Sequence, residues 1–268
     1  MKHKPGVTVL LLLLFLTAHF IGLLVLNSYK NEVKQYPYEL TPPKVETTMS
    51  AVQIIVSIII VTIIALVLIK FQARRIWKVW FLFSLVVTML LAFSAFISET
   101  IALLLALVLA LWRIFKNNVV LHNFTEVFVY GGLASIFVPI LNVIAVSILL
   151  LVLAVYDFWA VYKTKHMVKM AKFQTENKVF AGLVIPYGKR TAILGGGDIG
   201  FTLLFSGVIF YKYGLVAAVL SSIIIAFSLL FLLVYGKKNK FYPAMPVLAA
   251  GCFIALGVVY LLSFFGVL

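Results

Sequence analysis

The sequence predicts an all-α integral membrane protein of nine transmembrane helices, N-terminus cytoplasmic and C-terminus outside. Three observations lead there. Of the 268 residues, 64% are hydrophobic and only 11% charged, whereas soluble domains run about 25% charged. Nine stretches can each supply the roughly 20 apolar residues that carry a helix across a bilayer. The basic residues gather on one side of the spans that these stretches define.

The spans fall near 7–26, 50–69, 78–97, 100–115, 120–138, 140–162, 192–211, 214–235 and 241–262. The fourth is short, and the fifth is interrupted by His122, Asn123 and Glu126. The first, a leucine run after Lys2 and Lys4, is long for the apolar part of a signal peptide and lacks a small-x-small cleavage site, so it reads as a retained span. Uninterrupted runs of this length exclude a membrane β-barrel.

Charge tests the count. With the N-terminus inside, all but four of the 22 Lys and Arg lie in inner segments. The exceptions are Lys30, Lys34, Lys44 and Lys212. A net charge of +14 distributed in this way is the positive-inside pattern and not a nucleic-acid patch. The lone Cys252 excludes an internal disulfide.

Two connections exceed a turn. Residues 27–49 mix Lys and Glu with Pro37, Pro42 and Pro43, and read as an outer segment without a core of its own. Residues 163–191 begin strongly basic and extend the sixth helix into the cytoplasm. They then turn apolar over 179–188, too short to span, which points to a re-entrant or interfacial strand or helix. The chain thus divides into spans one to six (1–162), a cytoplasmic loop (163–191) and spans seven to nine (192–268). The Asn123–Phe124–Thr125 sequon falls at the cytoplasmic face and reads as chance.

The chain has two aspartates, Asp157 and Asp198, and both lie in apolar runs. An Asp at the centre of a span costs roughly 2.5–3.5 kcal/mol on an insertion scale, which makes each a functional-site candidate. Asp157 precedes Lys163, where the sixth span reaches the inner surface; Asp198 follows Arg190, where the seventh leaves it. At the helical rise these spacings correspond to depths of about 9 and 12 Å, so two antiparallel neighbours hold their carboxylates at similar depth. The alternative is a pair of unrelated capping or snorkelling aspartates.

The neighbours favour a site. Gly195, Gly196 and Gly197 precede Asp198, and such a run permits close backbone approach and access of water, though tight helix packing is equally allowed. Tyr156 either hydrogen-bonds at the site or anchors the interface. Pro243, Ala244, Met245 and Pro246 open the last span. Pro243 suits a helix start, and Pro246 removes a further donor, suggesting an irregular entry segment.

These motifs resemble the presenilin and signal-peptide-peptidase family of intramembrane aspartyl proteases: Tyr156–Asp157 as YD, Gly195–Gly196–Gly197–Asp198 as GxGD, and Pro243–Ala244–Met245 as PAL with Met for Leu. The inside N-terminus and Pro246 resemble presenilin, and the short loop between the catalytic spans resembles compact microbial, archaeal-type homologues. The resemblance implies a presenilin-like fold and catalytic Asp157 and Asp198. It makes Tyr156, Gly195, Gly196, Gly197, Lys240, Pro243, Ala244, Met245 and Pro246 supporting residues. It also implies transmembrane-helix or signal-peptide substrates cut within a cell membrane. No metal, cofactor or partner subunit is required, and a homo-oligomer is compatible.

In that chemistry the two carboxylates share one proton, activate a bound water and protonate the scissile carbonyl. Lys240 then either hydrogen-bonds a carbonyl or is one more positive-inside lysine, the latter being favoured. Other intramembrane protease chemistries lack their parts: there is no HExxH, and Ser206–Gly207 lacks the upstream glycine of a rhomboid-type motif. The alternative from another class is a cation or proton transporter or leak channel using both aspartates. No related halves support it. His19, Glu99, His122 and Glu126 are scattered along the spans and read as interfacial or packing residues.

Overall fold

The computed structural model describes residues 4–42, 56, 60, 74–116, 118–161, 180–188, 190–236 and 242–268. Apart from positions 56 and 60, the second expected span lies outside the described residues, as do Lys240 and the basic segment 162–179.

Eight α-helices are described: α1 (Pro5–Lys30), α2 (Arg74–Ser94), α3 (Glu99–Phe115), α4 (Val119–Phe137), α5 (Val143–Trp159), α6 (Gly196–Tyr213), α7 (Leu215–Tyr235) and α8 (Met245–Phe264). They correspond to all the expected spans except the second. By length and composition, Pro5–Lys30, Val119–Ile140, Leu215–Tyr235 and Met245–Phe264 can each cross a membrane.

Local signals set the helix ends. Asn118 Oδ1 accepts from the N–H of Val120 at 2.9 Å and of Leu121 at 3.2 Å, starting α4. Asn142 Oδ1 accepts from Ala145 N–H at 2.7 Å and starts α5, after Pro139 has tightened the chain into a 3-10 turn over Val138–Ile140. Gly214 joins α6 to α7 at φ 91°, a left-handed conformation suited to glycine.

Helix α4 is central, packing against α1, α2, α3 and α6. The approach to α2 depends on a missing side chain: a Cβ on Gly132 would collide with the Thr88 carbonyl. The largest core cluster runs from Leu11 and Phe15 of α1 through Leu149 of α5 and Phe205 of α6 to Leu248 of α8. Outward positions such as Ile144, Val155 and Phe227 are apolar and exposed, as lipid-facing side chains are.

Polar contacts label the two ends of the bundle. At one end, Tyr29 donates to Leu91 O at 2.6 Å, Tyr36 to Ser135 O at 2.9 Å, and Lys30 Nζ to Phe210 O at 3.1 Å. The C-termini of α1, α2, α4 and α6 therefore share that end. Tyr38 N–H donates there to Glu99 Oε2, so the described part of the 27–49 segment leans on the bundle.

The opposite end carries a β-hairpin, β1 (Gly182–Tyr187) antiparallel to β2 (Arg190–Gly195), with Gly182 opposite Gly195 and Tyr187 opposite Arg190. The apolar 179–188 stretch thus includes a strand, one of the two forms its composition allowed. The seventh helix begins at Gly196 and not at 192, because residues 190–195 pair with β1 instead of winding into the helix.

Candidate active site

The hairpin end gathers the C-terminus of α5 and the N-termini of α6 and α8, and these three helices pack against one another. Asp157 lies in the last turn of α5, Asp198 in the first turn of α6, and Ala244 caps α8. The tertiary fold therefore brings the three motif-bearing segments to one end of the bundle.

Asp157 is 6% exposed, and its Oδ2 accepts from Met245 N–H at 3.1 Å. Met245 is the first residue of α8, so its N–H is one of the donors that a helix cannot satisfy internally. A carboxylate from another helix meets that donor at the positive end of α8, an arrangement that favours a negative charge. Pro246 is a helix-start proline whose missing N–H costs nothing there. The irregular segment is Tyr242–Ala244, ahead of it, with Pro243 buried. The two prolines thus exchange the roles expected of them.

Asp198 is the third residue of α6 and half-buried. The helical ruler that gave its depth does not apply, because the residues between Arg190 and Gly195 are extended. What holds is that Asp198, like Asp157, lies at a helix N-terminus, here that of its own helix.

The three glycines form the strand-to-helix junction and do not loosen a helix interior. None has positive φ, so their requirement is space. A Cβ on Gly196 would lie 3.0 Å from the Tyr130 hydroxyl and 3.3 Å from the Ala181 carbonyl; on Gly195 it would lie 3.1 Å from Asp198 Oδ2. Gly196 N–H also donates to Ala181 O at 3.3 Å, tying the start of α6 to the chain entering β1. Gly197, by contrast, is exposed, and a Cβ there would meet only Phe201 at ordinary distance.

Tyr156 stands apart. It is 42% exposed, while its neighbour Asp157 is buried, so the two side chains leave the helix on different faces. Successive helical residues diverge by about 100°, and the face that buries Asp157 turns Tyr156 outward.

The structure adds residues that sequence reasoning set aside. Arg113 forms a buried ion pair with Glu126 and donates to Thr125 Oγ1 at 2.9 Å. The Tyr130 hydroxyl, one turn from Glu126, is buried beside Gly196, and its ring edge lies near Gly200. His122 and Asn123 both bond the hairpin. Glu99 is at the far end, and His19 is buried within α1 with Nδ1 on Phe15 O at 3.1 Å. Of the four scattered residues, only His122 and Glu126 come together. The available signal was three polar side chains crowded into the first turns of one span.

The family model for signal-peptide peptidase, presenilin aspartyl protease matches residues 12–267. The chain is similar to a presenilin family intramembrane aspartate protease solved in space group C222, with TM-score 0.70 and 20% identity, covering 95% of this chain and 99% of that one. The same kind of protein in space group P2 gives TM-score 0.70 and 21% identity, covering 94% and 96%. No curated protein matches the sequence.

Proposed function

As the chain belongs to the signal-peptide peptidase, presenilin aspartyl protease family, and is accordingly an aspartic endopeptidase, we propose that Asp157 and Asp198 are its catalytic dyad and that it cuts peptide bonds within transmembrane segments. The observation that carries this reading is the convergence of α5, α6 and α8, with Asp157 joined to Met245, the last residue of the Pro243–Ala244–Met245 segment and the first of α8.

The dyad shares one proton, since two nearby carboxylates do not both ionise readily. The ionised member takes a proton from a water molecule, whose oxygen attacks the scissile carbonyl carbon. The protonated member gives its proton to the carbonyl oxygen, and collapse of the tetrahedral species delivers a proton to the departing amine. Base and acid are properties of the pair and not of either residue. No metal or cofactor is assigned.

A helical substrate must unwind before its carbonyls can be reached. The hairpin supports a strand-addition mode. The outer edge of β1 is taken up by side chains of α4, and among the described residues β2 has no strand on its other edge. An extended substrate added beside β2 runs along the strand that leads into Asp198.

The polypeptide is read as a multi-pass cell-membrane protein of nine spans, N-terminus cytoplasmic, with the dyad toward the cytoplasmic face. Helices α1 and α2 run the same way, so one further crossing between them, at 50–69, completes the count. Partner subunits are not required in this reading.

The test is cleavage of a labelled single-span substrate by the purified protein in liposomes. Asp157→Ala and Asp198→Ala each abolish it, and an aspartyl-protease transition-state mimic blocks it. Normal cleavage by either variant overturns the dyad. Aspartate-dependent cation movement without cleavage selects the transporter instead.

A further inference from the structure

A two-stranded hairpin alone is marginally stable, so what holds β1 and β2 bears on how substrate is met. Residues two apart in a strand present their backbone groups to the same edge. In the observed register Val184 stands opposite Ile193. Val184 turns its own N–H and C=O away from β2, and both are met by one side chain. Asn123 Nδ2 donates to Val184 O at 2.8 Å, and Val184 N–H donates to Asn123 Oδ1 at 2.9 Å. Two residues earlier on that edge, Gly182 O accepts from His122 Nε2 at 2.8 Å. The carbonyl can only accept, which assigns the proton to Nε2. Two residues earlier again, Phe180 O accepts from Arg113 Nη2 at 3.0 Å.

A carboxamide presents one donor and one acceptor side by side, as a peptide group of a neighbouring strand does. The first turns of α4 thus stand in for a third strand on β1, fixed to a helix at the centre of the bundle. Among the described residues they also leave β2 as the edge open to pairing. The same Asn123 amide that would take a glycan is occupied by Val184.

We propose that Asn123, supported by His122, is a positioning residue that keeps the hairpin formed before substrate arrives. This rests on the proteolytic reading above. Loss of the clamp lowers the fraction of enzyme with an ordered β2 edge. The apparent substrate affinity falls by that fraction, while saturating substrate rebuilds the sheet and restores turnover. A residue of merely structural importance would behave differently, lowering kcat through loss of folded enzyme at constant KM.

The experiment compares the full-length wild type with Asn123→Ala in detergent. It reads backbone amide exchange over 182–195, and kcat and KM on the labelled single-span substrate. Asn123→Ala is expected to speed exchange in 182–195 about tenfold, leave α7 protected, and raise KM about tenfold with kcat within twofold. His122→Ala moves both readouts the same way by less, and serves if Asn123→Ala does not fold. Unchanged KM and unchanged exchange in an active variant overturn the proposal, as does a fall in kcat at constant KM. A wild type that cleaves nothing overturns the proteolytic reading, and the substrate role of Asn123 falls with it. A wild type that cleaves beside an indifferent variant overturns this inference alone.

Discussion

Asp157 accepts a hydrogen bond from the backbone N–H of Met245, 88 residues away in sequence, so the carboxylate at the end of one helix caps the beginning of another. That bond ties the Asp157 carboxylate to the start of α8, directly after Pro243 and Ala244.

Asp157→Asn keeps an acceptor for Met245 N–H but cannot ionise. It should lose cleavage while unfolding within about 1 kcal/mol of the wild type, the scale of a charge at a helix N-terminus. Asp157→Ala leaves the Met245 N–H unsatisfied in a buried place and should lose about 1–3 kcal/mol as well as activity. Equilibrium unfolding in detergent beside the cleavage assay separates the two; equal stability of both variants would show that the bond contributes nothing.

Gly196 and Gly197 should respond differently to one methyl group. At Gly196 a Cβ meets the Tyr130 hydroxyl and the Ala181 carbonyl, so Gly196→Ala should shift the first turn of α6 and reduce turnover at least tenfold. Adding Tyr130→Phe removes the hydroxyl and should recover part of the loss. Gly197→Ala should unfold like the wild type. Turnover and melting temperatures of the three variants check this.

The buried ion pair of Arg113 and Glu126 should be worth more intact than halved. Removing one partner leaves an uncompensated charge, so Glu126→Ala should cost about 3–5 kcal/mol. A paired replacement by apolar residues of similar volume should cost less. Denaturation curves of the wild type, Glu126→Ala and the paired replacement provide the measurement.

At Gly132, α4 lies directly against the α2 backbone at Thr88. Gly132→Ala forces a Cβ into the Thr88 carbonyl and should destabilise by about 1–3 kcal/mol through backbone displacement. Thr88→Ala leaves that carbonyl in place and should not rescue it, which thermal unfolding of the pair reveals.

Much of the helical architecture was legible because a bilayer imposes a length and a polarity on any helix that crosses it. The fourth and fifth stretches, short and interrupted, are helices as expected, and His122, Asn123 and Glu126 interrupt the fifth because they bond another element. The hairpin was half legible: 179–188 was apolar and too short to span. Its partner strand was hidden, because residues 192–195 are as apolar as the helix they precede, and pairing register is a property of two segments.

The sequence by itself determined that this chain lives in a membrane, and it singled out two aspartates, a glycine run and a proline segment as candidates for its chemistry. A carboxylate in an apolar span is costly, which is why the two aspartates stand out. Only the tertiary structure decided which backbone donor Asp157 meets, that Asp198 lies in the first turn of a helix that follows a strand, that Tyr156 is exposed beside a buried Asp157, and that Asn123 clamps Val184. Each of these depends on where a second, distant segment lies, and one-dimensional spacing carries no record of that.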